Sequence, residues 1–106
     1  MEIQFSSKLY YSDLSGRRLD SIKRKIRKWS PKINLFLITM PIGGQGILEV
    51  YWYPELLQPL YRKLDKQVLV VGMAKSRGEA FSLIERIVLD VGVQDGTIPI
   101  GNFFKE

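Results

Sequence analysis

The sequence predicts one α/β domain, a mixed β-sheet with helices on both faces in the order β-α-β-β-α-β-α. Three observations carry this. Segments 33–40 and 67–74 are apolar on both sides of their alternation, as strands covered on both faces are. Segments 17–28 and 76–91 repeat apolar residues at helical spacing. Turn and breaker residues separate these segments at short intervals. At 106 residues and 45% apolar content, the chain fits a single domain that buries a core without staples.

The first strand is expected over 8–12, with 3–5 as an extension. Ser12-Asp13-Leu14-Ser15-Gly16 is turn chemistry, with Ser15 a candidate helix cap. A helix then runs to about Trp29, where Ser30-Pro31 stops it. Within 33–40, Ile33, Leu35 and Leu37 alternate with Phe36, Ile38 and Met40. A glycine-rich connection, Pro41-Ile42-Gly43-Gly44-Gln45-Gly46, leads into a strand over 47–53, making a β-hairpin.

Segment 54–64 places Leu56, Leu57, Leu60, Tyr61 and Leu64 at helical spacing. Pro59 lies inside it, which predicts a kink or two separate turns. After the 67–74 strand, Ser76 and Glu79 have capping-box spacing, and Ala80, Leu83, Ile84, Ile87, Val88 and Val91 trace one helix face that Gly92 closes. Phe81 and Leu89 widen this arc, so the helix is expected to be deeply buried, with Glu79, Ser82, Arg86 and Asp90 as its narrow wet face. The tail, with a turn at Asp95-Gly96 and apolar Ile98, Ile100, Phe103 and Phe104, adds an edge strand or docks on the body.

The first six elements also fit a ferredoxin-like βαββαβ layout with an added C-terminal helix. That fold puts its second and fourth strands at the sheet edges with helices on one face. Here those two strands are the most apolar on both sides, which favours central positions.

Charge is concentrated. Seven of the sixteen basic residues lie in 17–28 (Arg17, Arg18, Lys23, Arg24, Lys25, Arg27 and Lys28), with Asp20 the sole acid there. The formal net charge of +5 is therefore the property of one segment. Leu19, Ile22, Ile26 and Trp29 fall on one side of this helix, and Asp20 is placed to pair with Lys23 and Arg24. Lys25, Arg27 and Lys28 suit the negative end of the helix dipole. The seven bases are the candidate face for nucleic acid or an acidic partner, to be weighed against a solvated helix back.

With no Cys and no His, the chain has no disulfide, thiolate nucleophile, imidazole base or Cys/His zinc site. No cofactor motif and no catalytic motif is present, which argues against an enzyme. The start, Met1-Glu2-Ile3-Gln4, lacks a signal-peptide pattern, and no apolar run approaches the roughly 20 residues of a membrane span. These features predict a cytoplasmic protein with no membrane association.

Two weaker anion sites are suggested. Gly43-Gly44-Gln45-Gly46 lacks the following helix and the lysine of a phosphate-binding loop, so it reads as a hairpin turn. Lys75, Ser76, Arg77 and Gly78 open a helix after a buried strand, a geometry suited to a phosphorylated small ligand, although Ser76 and Glu79 compete for the same donors. Tyr51, Tyr53 and Tyr61 form an aromatic set suited either to core packing or to an interface, including that of a homodimer.

The run Leu56-Leu57-Gln58-Pro59-Leu60-Tyr61-Arg62, followed by Val70-Val71-Gly72-Met73-Ala74 and Glu79-Ala80-Phe81-Ser82-Leu83-Ile84, resembles small bacterial proteins of about this length with no assigned function. The resemblance covers the C-terminal half. It implies a self-standing bacterial domain and carries over no activity and no site residue. The function expected from sequence is therefore a small non-enzymatic binding module, acting on a protein partner or on itself, with nucleic-acid binding through 17–28 as the alternative.

Overall fold

Strands β1 (Glu2–Tyr11), β2 (Phe36–Thr39), β3 (Glu49–Trp52) and β4 (Gln67–Ala74) form one mixed sheet in the order β1-β4-β2-β3. The computed structural model describes residues 1–11, 16–42 and 46–105. β1 runs parallel to β4, whereas β2 is antiparallel to both β4 and β3. β2 and β4 are therefore central, and β1 and β3 are the edges. This excludes the ferredoxin-like alternative for the reason visible in the sequence: strands apolar on both sides need two covers.

The covers are helices on both faces. On one face, Leu19, Ile22 and Ile26 of α1 (Gly16–Arg27) pack with Leu37, Val70 and Met73 of the sheet, and with Tyr53 and Leu56 of a 3-10 helix (Tyr53–Leu57). On the other, Ala80, Leu83 and Ile87 of α3 (Arg77–Val91) pack with Ile38, Val71 and Ala74. Ile100 of α4 (Ile100–Phe103) and the following Phe104 complete that second core, so the tail docks rather than adding a strand. Each large aliphatic side chain so buried contributes about 1.5–3 kcal/mol. Among the described residues, no helix is long and apolar enough to cross a membrane.

The two strands of the parallel pair are unequal in length. Phe5 pairs with Val70 and Tyr10 with Gly72, so residues 6–9 of β1 stand opposite Val71 alone. On the other side of β4, Ile38 pairs with Gly72 and Thr39 with Val70, again passing over Val71. β4 thus bulges at Val71, which resets its alternation: Val70 and Met73 both face α1, while Val71 and Ala74 both face α3. Gly72 permits this, because a Cβ there would meet Ile38 Cδ1 at 2.8 Å.

Several boundaries differ from expectation. β1 is one strand from Glu2, not a short strand with an extension. β2 is only Phe36–Thr39; Ile33 and Leu35 are buried but lie ahead of it. The Pro59 break does give two separate turns, the 3-10 helix and α2 (Pro59–Arg62). The expected deep burial of α3 does not occur. Phe81 is 50% and Leu89 80% exposed, because the sheet and the tail reach only the side of α3 that carries Ala80, Leu83 and Ile87. The candidate cap Ser15 lies outside the described residues.

Candidate binding face

α1 docks by three side chains and turns its cations outward. Leu19, Ile22 and Ile26 are buried, Lys23 is half-buried, and Arg17, Arg18, Arg24, Lys25, Arg27 and Lys28 are exposed. Lys23 and Arg27 lean toward the sheet: Lys23 Nζ lies 5.8 Å and Arg27 Cζ 5.2 Å from the centre of the Phe5 ring. Among the described residues, Asp20 makes no ion pair with Lys23 or Arg24, contrary to the helical-spacing expectation. Lys23 and Arg24 are consequently not paired by the helix's own acid.

The helix ends by a specific device. Ser30 N–H donates to Lys25 O at 3.0 Å and Trp29 N–H to Ile26 O at 3.0 Å, the bond pair of a Schellman ending. Trp29 takes the left-handed position, φ 57°, where glycine is usual. Its indole stacks with Tyr53 at 6.5 Å, and the Arg62 guanidinium lies 5.4 Å from the ring centre. Packing of that large ring offsets the backbone strain.

Beside α1 runs the open edge of β1, where two concavities lie. One, of about 490 Å³, is lined by residues 1–5 together with Arg27 and Trp29. The other, of about 540 Å³, is lined by residues 6–11, by Leu19 and Lys23 of α1, and by Arg86 and Phe103 from the opposite layer. Consecutive strand residues can line one hollow only if it faces the strand's edge, since alternate side chains leave by opposite faces. The edge is thus recessed between the two helical layers, with bases from both: Lys23 and Arg27 from α1, Arg86 from α3. Lys8 Nζ donates to Phe103 O at 2.7 Å and lies 4.6 Å from that ring's centre, which seats the tail against the bulge.

The other sequence candidates are placed differently. At the α3 start, Ser76 Oγ accepts from Glu79 N–H at 3.1 Å and Glu79 Oε2 accepts from Lys75 N–H at 3.1 Å. Arg77 turns to the Phe36 ring, 5.4 Å away. Of the N–H groups around Lys75, Ser76, Arg77 and Gly78, capping takes up those of Lys75 and Glu79. Residues 43–45 of the glycine-rich loop lie outside the described residues. In the tyrosine set, Tyr53 is fully buried with its hydroxyl donating to Ser30 O at 2.7 Å. Tyr51 and Tyr61 are half-buried and meet edge to face at 5.8 Å. These three rings, from β3, the 3-10 helix and α2 in turn, pack on the α1-side core.

Sequence reasoning missed Lys8 and Arg86 at the edge, which come from elements remote in sequence and carry no local signal. It also left Glu49 isolated. Glu49 Oε1 accepts from Ile42 N–H at 2.5 Å and from Tyr51 OH at 2.9 Å, closing the base of the hairpin. Burial first, then this bond to a carboxylate, pushes Tyr51 up to about 12. Burial and a 2.5 Å bond donated to Asp90 Oδ2 likewise push Tyr10 up to about 12, tying β1 to α3. Burial raises Tyr53 as well. All three hydroxyls are therefore held as neutral donors at neutral pH, the opposite of what an activated nucleophile or base requires. Thr39 is buried with its hydroxyl unpartnered among the described residues. No group of three or more His, Cys, Asp or Glu there is placed to hold a metal ion.

Comparison with protein-family models, with curated proteins and with solved structures finds no match.

Proposed function

We propose that the protein is a small non-enzymatic binding module whose working face is α1 with the adjoining edge of β1, and whose partner is an acidic protein. The observation that carries this is the placement of the cations. Docking of α1 requires only Leu19, Ile22 and Ile26, and the helix dipole rewards bases only in the last turn, at Arg24, Lys25 and Arg27. Arg17 sits in the first turn, which has no acidic residue. There a positive charge costs about 0.3–1 kcal/mol instead of contributing. Bases at both ends of one exposed face serve a partner better than they serve the helix.

Nucleic acid is the second reading, favoured by the same charge. Single-strand binders add aromatic faces on which bases stack. Two rings beside α1 already make such contacts within the chain: Phe5 with Lys23 and Arg27, Trp29 with Tyr53 and Arg62. This supports a protein partner over a nucleic acid.

The test is binding of labelled poly-glutamate and of a single-stranded DNA oligomer of matched charge, across a salt series. The reading expects the acidic peptide to bind at low salt, with an affinity that falls steeply as salt rises. Combined reversal of Arg24, Lys25 and Lys28 to Glu should abolish binding while leaving the circular dichroism unchanged, since all three are exposed. Absence of peptide binding at low salt, or binding unchanged by the reversal, overturns it. Preference for the DNA transfers the function to the second reading.

A further inference from the structure

The open edge of β1 has a polarity that can be worked out. Glu2 N–H donates to Lys66 O at 2.8 Å, and Glu2 pairs with Gln67 in a parallel ladder. In such a ladder alternate residues direct both their N–H and C=O to the same neighbour. Glu2 and Gln4 therefore face β4, and the N–H and C=O of Ile3 and Phe5 face outward. The hollow lined by residues 1–5, Arg27 and Trp29 lies along this same stretch. Beyond Phe5 the strand bulges over residues 6–9, which limits regular pairing to this short stretch.

From this we infer that the edge at Ile3 and Phe5 accepts an extended acidic segment of a partner protein as an added strand. The inference rests on the binding reading above and names how the partner is held. The backbone of the added strand pairs with Ile3 and Phe5. Side chains at alternate positions then emerge on the α1 face, where Ile3 and Phe5 themselves pack. Lys23 and Arg27 stand over that face, 5.8 and 5.2 Å from the Phe5 ring, so the complementary sequence has Asp or Glu at every second position.

A second copy of the chain is the obvious rival occupant, and charge decides against it. Two β1 edges paired antiparallel are related by a two-fold axis normal to the sheet. That operation places both α1 helices side by side on one face. Each copy would bring a strongly basic helix to the same face as the other's, with Asp20 the sole acid of 17–28 in each. An acidic strand removes this repulsion and replaces it with attraction.

The experiment uses the full chain and a short peptide of alternating Glu and Val. Amide exchange followed by NMR should show Ile3 and Phe5 gaining protection on peptide addition, while the helical amide of Leu89, in α3 on the far side of the sheet, serves as an unchanged reference. N-methylating the peptide on alternate amides of one edge should abolish binding; methylating the opposite edge should leave it intact. Reversing Lys23 and Arg27 to Glu should weaken binding by about tenfold or more. Peptide binding with no protection of Ile3 and Phe5, or insensitivity to which edge is methylated, overturns strand addition while leaving α1 as a binding face. Failure of every acidic peptide to bind overturns both. Concentration-dependent dimerisation that protects the same two amides without peptide assigns the edge to self-association and overturns the inference.

Discussion

α1 and α3 cover opposite faces of one sheet and bury the same number of side chains from very different sequences. The 12 residues of α1 bury Leu19, Ile22 and Ile26, and the 15 residues of α3 bury Ala80, Leu83 and Ile87. α1 has almost no apolar residue beyond those it uses. α3 has a surplus, of which Phe81 and Leu89 stand in solvent. What limits burial is the width of the surface offered by the sheet, not the apolar content of the helix. A four-stranded sheet meets one stripe of each helix, about three residues wide over the contact. On α1 the remaining surface is given to charge, and on α3 it is left partly greasy.

The strongest way to break this comparison is to remove one central contact from each helix. Ile26 and Ile87 are both fully buried in their respective clusters. Ile26→Ala and Ile87→Ala should each cost about 2–5 kcal/mol, read as a lowered urea midpoint at constant slope. Similar losses mean that the two faces carry the fold equally. A loss below about 1 kcal/mol for Ile87→Ala would mean that the apolar surplus of α3 lets it repack, and that the two helices are not equivalent covers.

A smaller effect isolates how α3 is anchored at its start. Ser76 Oγ accepts from Glu79 N–H, and the Glu79 carboxylate returns the bond to Lys75 N–H. Ser76→Ala should cost about 1 kcal/mol in the same unfolding measurement. No change would mean that the burial of Ala80, Leu83 and Ile87 alone fixes the helix start.

Much of this fold was legible. Double-sided apolar alternation in 33–40 and 67–74 marked the central strands, and Pro59 marked the break between two short turns, because both signals act through local geometry. The capping pair at Ser76 and Glu79 was legible for the same reason. β1 was harder. Ile3 and Phe5 alternate as a strand should, but Ser6-Ser7-Lys8 interrupts the pattern where the chain bulges past Val71. The aromatic set was readable as a cluster, yet nothing local says that Tyr53 opens a 3-10 helix where the strand was expected to continue. The binding face divides in the same way. The cations of α1 are contiguous in sequence and visible at once. Lys8, Arg86 and Phe103 meet at one edge only after the chain has folded, so their association has no sequence signature.

The smallest expected effect is the most discriminating. Leu89 is 80% exposed on a face of α3 that the sheet does not reach. From the sequence, Leu89 extends the apolar arc of a deeply buried helix, and its replacement by Gln would remove a core side chain and bury an amide, at a cost of several kcal/mol. From the structure, the same change exchanges one exposed side chain for another of nearly equal helix propensity, and stability should move by less than about 0.5 kcal/mol. Because Leu89→Gln leaves Ile87 and Leu83 untouched, a large loss could come only from contacts that Leu89 itself makes. Such a loss, measured in dilute protein, would place a cover over α3 within the monomer and undo the comparison with α1. A loss that appears only at high protein concentration would instead assign the greasy face of α3 to contact between molecules.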